Sequence, residues 1–212
     1  MNKVYILGIG PGHKDYLTKI AEDIINSSDI LIGGRRVLKI FDDLDKEKIR
    51  ITADLEKIKN YILKNYQSKV ISVIVSGDPG LYSMMNYLKR ELSKEMLEVI
   101  PGISSLQLAS ARIKLNWNDM QIVSLHGKNN RNKVIKVIKE HNKVGLFTDH
   151  KFPPDQIAAF LLEHGVNNKR AVVFENLSYP DERIISANML EIQQYIFSNL
   201  TVMVIYDEDL EI

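Results

Sequence analysis

The sequence predicts an α/β protein of two domains, the first on a mostly parallel sheet and the second on a mixed one. Three observations carry this. Short β-branched runs alternate with segments whose apolar residues recur at helical spacing. Three of the runs end in glycine-bearing loops: Gly8-Ile9-Gly10-Pro11-Gly12, Ser76-Gly77-Asp78-Pro79-Gly80 and Pro101-Gly102-Ile103-Ser104-Ser105. A polar stretch, Lys114–Asp119, divides the chain into residues 1–114 and 115–212.

Lys3–Ile9 reads as a buried strand, and Leu17, Ile20, Ala21, Ile24 and Ile25 as a helix face. Asp29–Ile32 is a short strand ending in Gly33-Gly34. Asp54 has the chemistry of an N-cap for a helix bearing Leu55, Ile58 and Ile62. Val70–Val75 is the most strand-like run, and Leu81, Met85, Leu88 and Leu92 mark the helix expected after it. Met96–Ile100 is a strand; Leu106, Ala109 and Ile113 are a helix face. This alternation implies a parallel sheet covered on both faces. In the second half, Met120–Leu125 and Val144–Phe147 are strands, and Val134, Val137 and Ile138 a helix between them. Pro153-Pro154-Asp155 opens a helix that Gly165 ends at C′. Ala171–Phe174, Arg183–Ser186 and Leu200–Tyr206 are strands. The turn Tyr179–Glu182 joins the first two, so an antiparallel pair is expected.

Composition narrows the classes. Lys+Arg 28 against Asp+Glu 27 leaves +1, so no bulk field attracts nucleic acid or an anionic membrane. The absence of cysteine removes disulfides, thiolate nucleophiles and cysteine-ligated metals, and suits a reducing cytoplasm. The N-terminal apolar run is too short for a signal peptide, and no run reaches membrane-spanning length. The histidines at 13, 126, 141, 150 and 164 have no metal-ligand spacing, so no metal is expected.

The loops admit a bland and a functional reading. Gly8–Gly12 follows a strand, but a dinucleotide fingerprint needs glycine where His13 stands. Asp78-Pro79-Gly80 suits a type II turn; equally, the loop exposes backbone to a ligand and sets a carboxylate at a sheet edge. Ser104 and Ser105 suit a helix cap or hydroxyl donors. Arg35 and Arg36, beside Gly33-Gly34, can fork carboxylates or form a solvated face. His126 and Lys128 end a strand with a titratable ring and a cation.

Taken together and in this order, the motifs resemble the tetrapyrrole (corrin/porphyrin) methylase family, whose opening G-x-G-P-G, G-D-P and P-G-[IV]-[ST]-S loops match Gly8–Gly12, Gly77–Pro79 and Pro101–Ser105. Gly33–Arg36, Ser124–Gly127 and Glu175–Ile184 look like the branch that methylates C5 of cobalt-precorrin-7 in cobalamin biosynthesis. The resemblance implies S-adenosylmethionine as cofactor, in a cleft between two α/β domains. It implies Pro11, Gly77, Asp78, Leu81, Ser104 and Ser105 as cofactor residues of the first domain. Position after matching strands adds Phe147-Thr148, Asn176-Leu177 and Leu200-Thr201, with Thr148, Asn176 and Thr201 as the polar contributors. Gly10, Arg35, Arg36, His126 and Lys128 are the candidates to hold the carboxylated macrocycle. His126 and His13 are the candidate general bases, although solvent can take the proton.

The family implies a homodimer, while the absence of cysteine and the near-neutral charge lead to the expectation of a cytoplasmic protein without nucleic-acid or membrane partners. Because the chain stops at Ile212, C15 methylation is expected on a separate polypeptide. The rival readings are a methylase of another precorrin position or of a protein substrate in diphthamide synthesis, a non-catalytic Rossmann-like ligand-binding subunit, and an inactive partner of the C15 enzyme.

Overall fold

A computed structural model describes residues 3–125 and 131–210. The chain divides into two compact units, Met1–Ser104 and Ser105–Ile212.

The first unit runs β1 (Val4–Gly8), α1 (Lys19–Ser27), β2 (Ile30–Gly33), α2 (Arg35–Lys39), β3 (Glu47–Arg50), α3 (Leu55–Asn65), β4 (Ile71–Val75), α4 (Met85–Glu91) and β5 (Leu97–Ile100). Its five strands are ordered β3-β2-β4-β1-β5 and every pair is parallel. Side chains alternate across the sheet. Val4, Ile6, Ile30, Ile32, Ile71 and Val73 meet Ile58 and Ile62 of α3 and Leu88 of α4. Leu7, Leu31 and Ile74 meet Ala21 and Ile25 of α1 and Val37 and Leu38 of α2. Each such apolar side chain removed from water contributes about 1.5–3 kcal/mol before entropy is counted. Ser72, fully buried in β4, is satisfied by a 2.7 Å hydrogen bond with Ser28.

Right-handed crossovers explain the layering. The chain moves one way across the sheet through α1 and α2, then back through α3 and α4, so the two helix pairs cover opposite faces. The reversal sets the loops after β1 and β4 side by side at the carboxyl edge, the edge at which open parallel sheets usually take ligands.

The second unit runs α5 (Ser105–Arg112), β6 (Gln121–Ser124), α6 (Arg131–Glu140), β7 (Lys143–Phe147), α7 (Pro154–Glu163), β8 (Lys169–Glu175), β9 (Arg183–Asn188), α8 (Met189–Ile192) and β10 (Thr201–Asp207). The order is β6-β7-β10-β8-β9; β6 and β7 are parallel and the other pairs antiparallel. The mixed sheet and the β8–β9 hairpin agree with the sequence reading. Pro154 occupies the first turn of α7, and Gly165 follows its cap at φ +75°.

Three elements differ from the sequence reading. Helix α5 packs in the second unit, with Leu106 against Gly145 of β7, so the compact units meet at Ser104/Ser105 although the polar stretch lies after α5. Strand β3 was not anticipated: its Glu-Lys-Ile-Arg sequence belongs to a half-exposed edge. The helix expected from Leu81 starts at Met85, because Pro79-Gly80 and Tyr82 at φ +51° interrupt it. No described helix is long and apolar enough to cross a membrane.

Candidate ligand-binding site

In the first unit the loops after β1, β4 and β5 are knitted together by backbone. Gly77 donates to the Gly10 carbonyl at 2.7 Å, and Gly10 donates back at 3.4 Å. Gly8, Gly77 and Gly102 then pack main chain against main chain. A Cβ on Gly102 would stand 2.4 Å from the Gly77 oxygen, and one on Gly8 would stand 2.6 Å from the Gly102 nitrogen. Those neighbours are backbone and cannot swing aside, which explains the need for glycine at both positions.

Asp78 acts inside this knot. Its Oδ1 accepts from the Gly80 amide at 2.7 Å and its Oδ2 from the Gly102 amide at 3.0 Å. The carboxylate closes an Asx turn and ties the β4 loop to the β5 loop. The turn is not type II. Leu81 donates to the Asp78 carbonyl at 3.2 Å, but the positive φ belongs to Gly77 at +69°, not to Gly80. The Asx bond takes over the work that a left-handed Gly80 would have done. Gly77 presents an open flank. Among the described residues, only the Ser104 Cα, at 3.7 Å, lies within 4 Å of where its Cβ would stand, its chain neighbours aside. That flank fits a ligand that approaches backbone.

The other first-unit candidates surround these loops. Pro11 is buried in the β1 loop and Ser104 is buried after β5. His13 accepts from the Asp15 amide at 3.3 Å, capping a short 3₁₀ turn, and is exposed. Arg35 and Arg36 open α2, and Arg36 donates to the Ser76 hydroxyl at 3.3 Å, reaching the β4 loop.

The second unit gathers its candidates at one sheet edge, where β7 and β8 end and β10 begins. The Thr148 hydroxyl donates to the Thr201 carbonyl at 2.7 Å and lies 2.6 Å from its hydroxyl. Asn176 stands at φ +48° and Ser178 at φ +72°, both in the left-handed region. The Asn176 amide donates to the Asp181 carboxylate at 2.8 Å, and its backbone N–H to the Leu200 carbonyl at 3.0 Å. Ser105 begins α5.

Two ion pairs that the sequence reading did not assign hold this hairpin loop. Arg112 of α5 grips Glu182 with two donors, at 2.6 and 3.2 Å, while Glu182 also accepts from the Ser178 amide at 2.7 Å. The Arg112 hydrogen bond, helped by that amide, lowers the Glu182 carboxyl below its usual range. Arg183 donates to the buried Glu175, which accepts the Ser198 amide at 2.6 Å through its other oxygen. The Glu175 hydrogen bond raises the Arg183 guanidinium further. The signal was present as acids and bases flanking the hairpin turn, but pairing Arg112 with Glu182 requires the fold.

His126 and Lys128 lie outside the described residues. Among the described residues no cluster of three His, Cys, Asp or Glu could hold a metal ion.

Comparison with known proteins fits this geometry. Residues 3–193 match the sequence model described as Tetrapyrrole (Corrin/Porphyrin) Methylases. A probable cobalt-precorrin-7 C(5)-methyltransferase of Methanocaldococcus jannaschii is 40% identical over 217 residues, covering 99% of this chain and 100% of the relative. The cobalt-precorrin-7 C(5)-methyltransferase of Salmonella typhimurium is 32% identical over 179 residues, covering 84% of this chain and 87% of the relative. A solved structure of uroporphyrin-III C-methyl transferase from Thermus thermophilus, complexed with S-adenosyl homocysteine, shares the fold with a TM-score of 0.79 at 19% identity, covering 96% of this chain and 97% of that one. With the family pattern matched along nearly its whole length, this chain belongs to the tetrapyrrole (corrin/porphyrin) methylases.

Proposed function

We propose that the protein is an S-adenosylmethionine-dependent C-methyltransferase acting on C5 of a cobalt-precorrin of the precorrin-7 type, in cobalamin biosynthesis. The observation that carries the reading is the backbone knot of Gly8, Gly77 and Gly102 at the carboxyl edge of β1, β4 and β5, in a chain aligned end to end with a C5-methyltransferase relative. When bound, S-adenosylmethionine supplies a sulfonium-activated methyl group, which an electron-rich carbon of the macrocycle takes by in-line displacement.

The protein's own share is positioning and exclusion of water. In the first unit, Pro11, Gly77, Asp78, Leu81 and Ser104 are the proposed cofactor residues. Gly77 offers open backbone, and Asp78 holds that loop rigid through the Gly80 and Gly102 amides. In the second unit, Ser105, Thr148, Asn176 and Thr201 are the proposed contributors. Asn176 is preset in a left-handed conformation by the hairpin network. Gly10, Arg35 and Arg36, with His126 and Lys128, are proposed for the macrocycle. His13 or His126 is the proposed proton acceptor where one is needed. The reading further takes the protein as a cytoplasmic homodimer working beside a separate C15 enzyme.

The test is transfer of isotope from methyl-labelled S-adenosylmethionine to cobalt-precorrin-7, with calorimetry for S-adenosylhomocysteine binding. Label in the macrocycle and one S-adenosylhomocysteine per chain are expected. Tight binding of NAD with no response to S-adenosylhomocysteine would contradict the reading.

A further inference from the structure

We propose that Arg50 joins Arg35 and Arg36 in a rim of guanidinium groups that holds the carboxylate arms of a polycarboxylated macrocycle; this deepens the functional reading above and rests on it. Arg50 ends β3, the edge strand invisible in the sequence, and pairs in register with Gly33 of β2. The Ile51 amide donates to the Gly33 carbonyl at 2.8 Å, which fixes the end of that strand. All strands of this sheet are parallel, so Arg50 and the start of α2 share the carboxyl edge.

They also share a face. Ile49 and Ile51 pack into the cluster that contains Ile58 and Ile62 of α3. By the two-residue alternation of a strand, Lys48 and Arg50 project to the opposite face, the one covered by α1 and α2. Lys48 agrees, because it donates at 2.5 Å to the carbonyl of Leu44, which follows α2. Arg36 extends the line to the β4 loop through Ser76.

Among the described residues, none of the three arginines is in an ion pair. Of the neighbouring acids, Asp43 is held by Lys14 at 3.0 Å, Glu47 accepts the Tyr61 hydroxyl at 2.5 Å, and Asp54 is held by the Lys57 amide at 3.2 Å and its ammonium at 3.3 Å, while Asp42 and Asp45 are exposed. Asp78 gives its two oxygens to Gly80 and Gly102. Gly34 leaves room at the centre of the rim, with nothing of the described residues beyond its chain neighbours within 4 Å of where its Cβ would stand. Adjacent strands stand about 4.8 Å apart, so cations set along the edge suit several separate carboxylates better than one phosphate.

The experiment is binding of uroporphyrin, a stable macrocycle with carboxylated arms, followed by fluorescence quenching. The wild-type chain is compared with Arg50→Ala, Arg50→Lys and the second-unit control Lys136→Ala. Arg50→Ala is expected to weaken binding about tenfold, equivalent to ~1.4 kcal/mol. Arg50→Lys should recover part of the loss, because charge returns without the fork. Lys136→Ala and S-adenosylhomocysteine affinity should not change. Wild-type affinity in Arg50→Ala, an equal loss in Lys136→Ala, or no uroporphyrin binding by the wild type would each overturn the rim. Failure of methyl transfer to precorrin-7, with uroporphyrin binding still dependent on Arg50, would remove the functional reading and leave the rim standing.

Discussion

The Asp78 carboxylate accepts the Gly102 amide at 3.0 Å and so joins the loops that follow β4 and β5. The residue with the most obvious ligand chemistry in its loop therefore also holds the scaffold. Asp78→Ala leaves the Gly80 and Gly102 amides without their acceptor and should cost about 2 kcal/mol, with weaker S-adenosylhomocysteine binding as the loops part. Asp78→Asn keeps one carbonyl acceptor and should lose less of both. Denaturant melts and calorimetry on the two variants check this. Unchanged stability and affinity in Asp78→Ala would contradict it.

Gly102→Ala should be worse than an ordinary glycine substitution. Its methyl would meet the Gly77 oxygen at 2.4 Å and the Gly8 carbonyl carbon at 2.6 Å, both backbone. Relief requires the loops to separate, so a loss of about 1–3 kcal/mol is expected. Gly34→Ala, with open space around it, is the control and should melt close to wild type. Equal melting temperatures for the two variants would dismiss the close-packed knot.

Much of this was legible in the sequence, for physical reasons. β1 and β4 are apolar runs buried almost throughout, and such runs have few alternative fates, while the edge strand β5 is marked by the Pro101-Gly102 that ends it. Pro153-Pro154 and Gly165 bracket α7 by fixed backbone preferences. β3 was hidden because an edge strand needs only Ile49 against the core and exposes Glu47 and Arg50. The spacing of Leu81, Met85, Leu88 and Leu92 extended a helix across a turn, since apolar periodicity does not register the break that Pro79 and Tyr82 impose. The type II expectation failed because the positive φ falls on Gly77 rather than Gly80, whose amide is held by the Asp78 side chain. Pairs distant in sequence, such as Arg112 and Glu182, carried no signal of their partnership.

The Glu182 carboxyl is lowered, chiefly by its hydrogen bond to Arg112. A folded-state pKa below the unfolded value means the stabilisation is full above the unfolded value of 4.5 and fades as pH falls through the folded one. Glu182→Gln should therefore lower stability at neutral pH and approach wild type in acid, below the window where wild-type Glu182 protonates. Arg112 is partly exposed, so a double-mutant cycle with Arg112→Ala should give a coupling of about 0.5–1 kcal/mol. Melts across pH 3–7 (roughly the carboxylate range) measure it. A constant Glu182→Gln deficit at every pH would refute the pairing as its source.

Thr148 and Thr201 share a hydroxyl–hydroxyl contact of 2.6 Å at the sheet edge. Thr148→Val preserves shape but removes the donor to the Thr201 carbonyl, and about 1 kcal/mol of stability should go with it. Thr148→Ser should retain the bond. If Thr148 also serves the cofactor, Thr148→Val should weaken S-adenosylhomocysteine binding while Thr148→Ser spares it. Calorimetric affinities that do not distinguish Val from Ser would limit Thr148 to holding Thr201.

The most direct test of the account is mass spectrometry, with carbon-13 methyl NMR, of cobalt-precorrin-7 incubated with the protein and labelled S-adenosylmethionine. The account predicts a product heavier by one labelled methyl group, attached at C5. An unmodified macrocycle, or a methyl group attached at any other carbon, would contradict it.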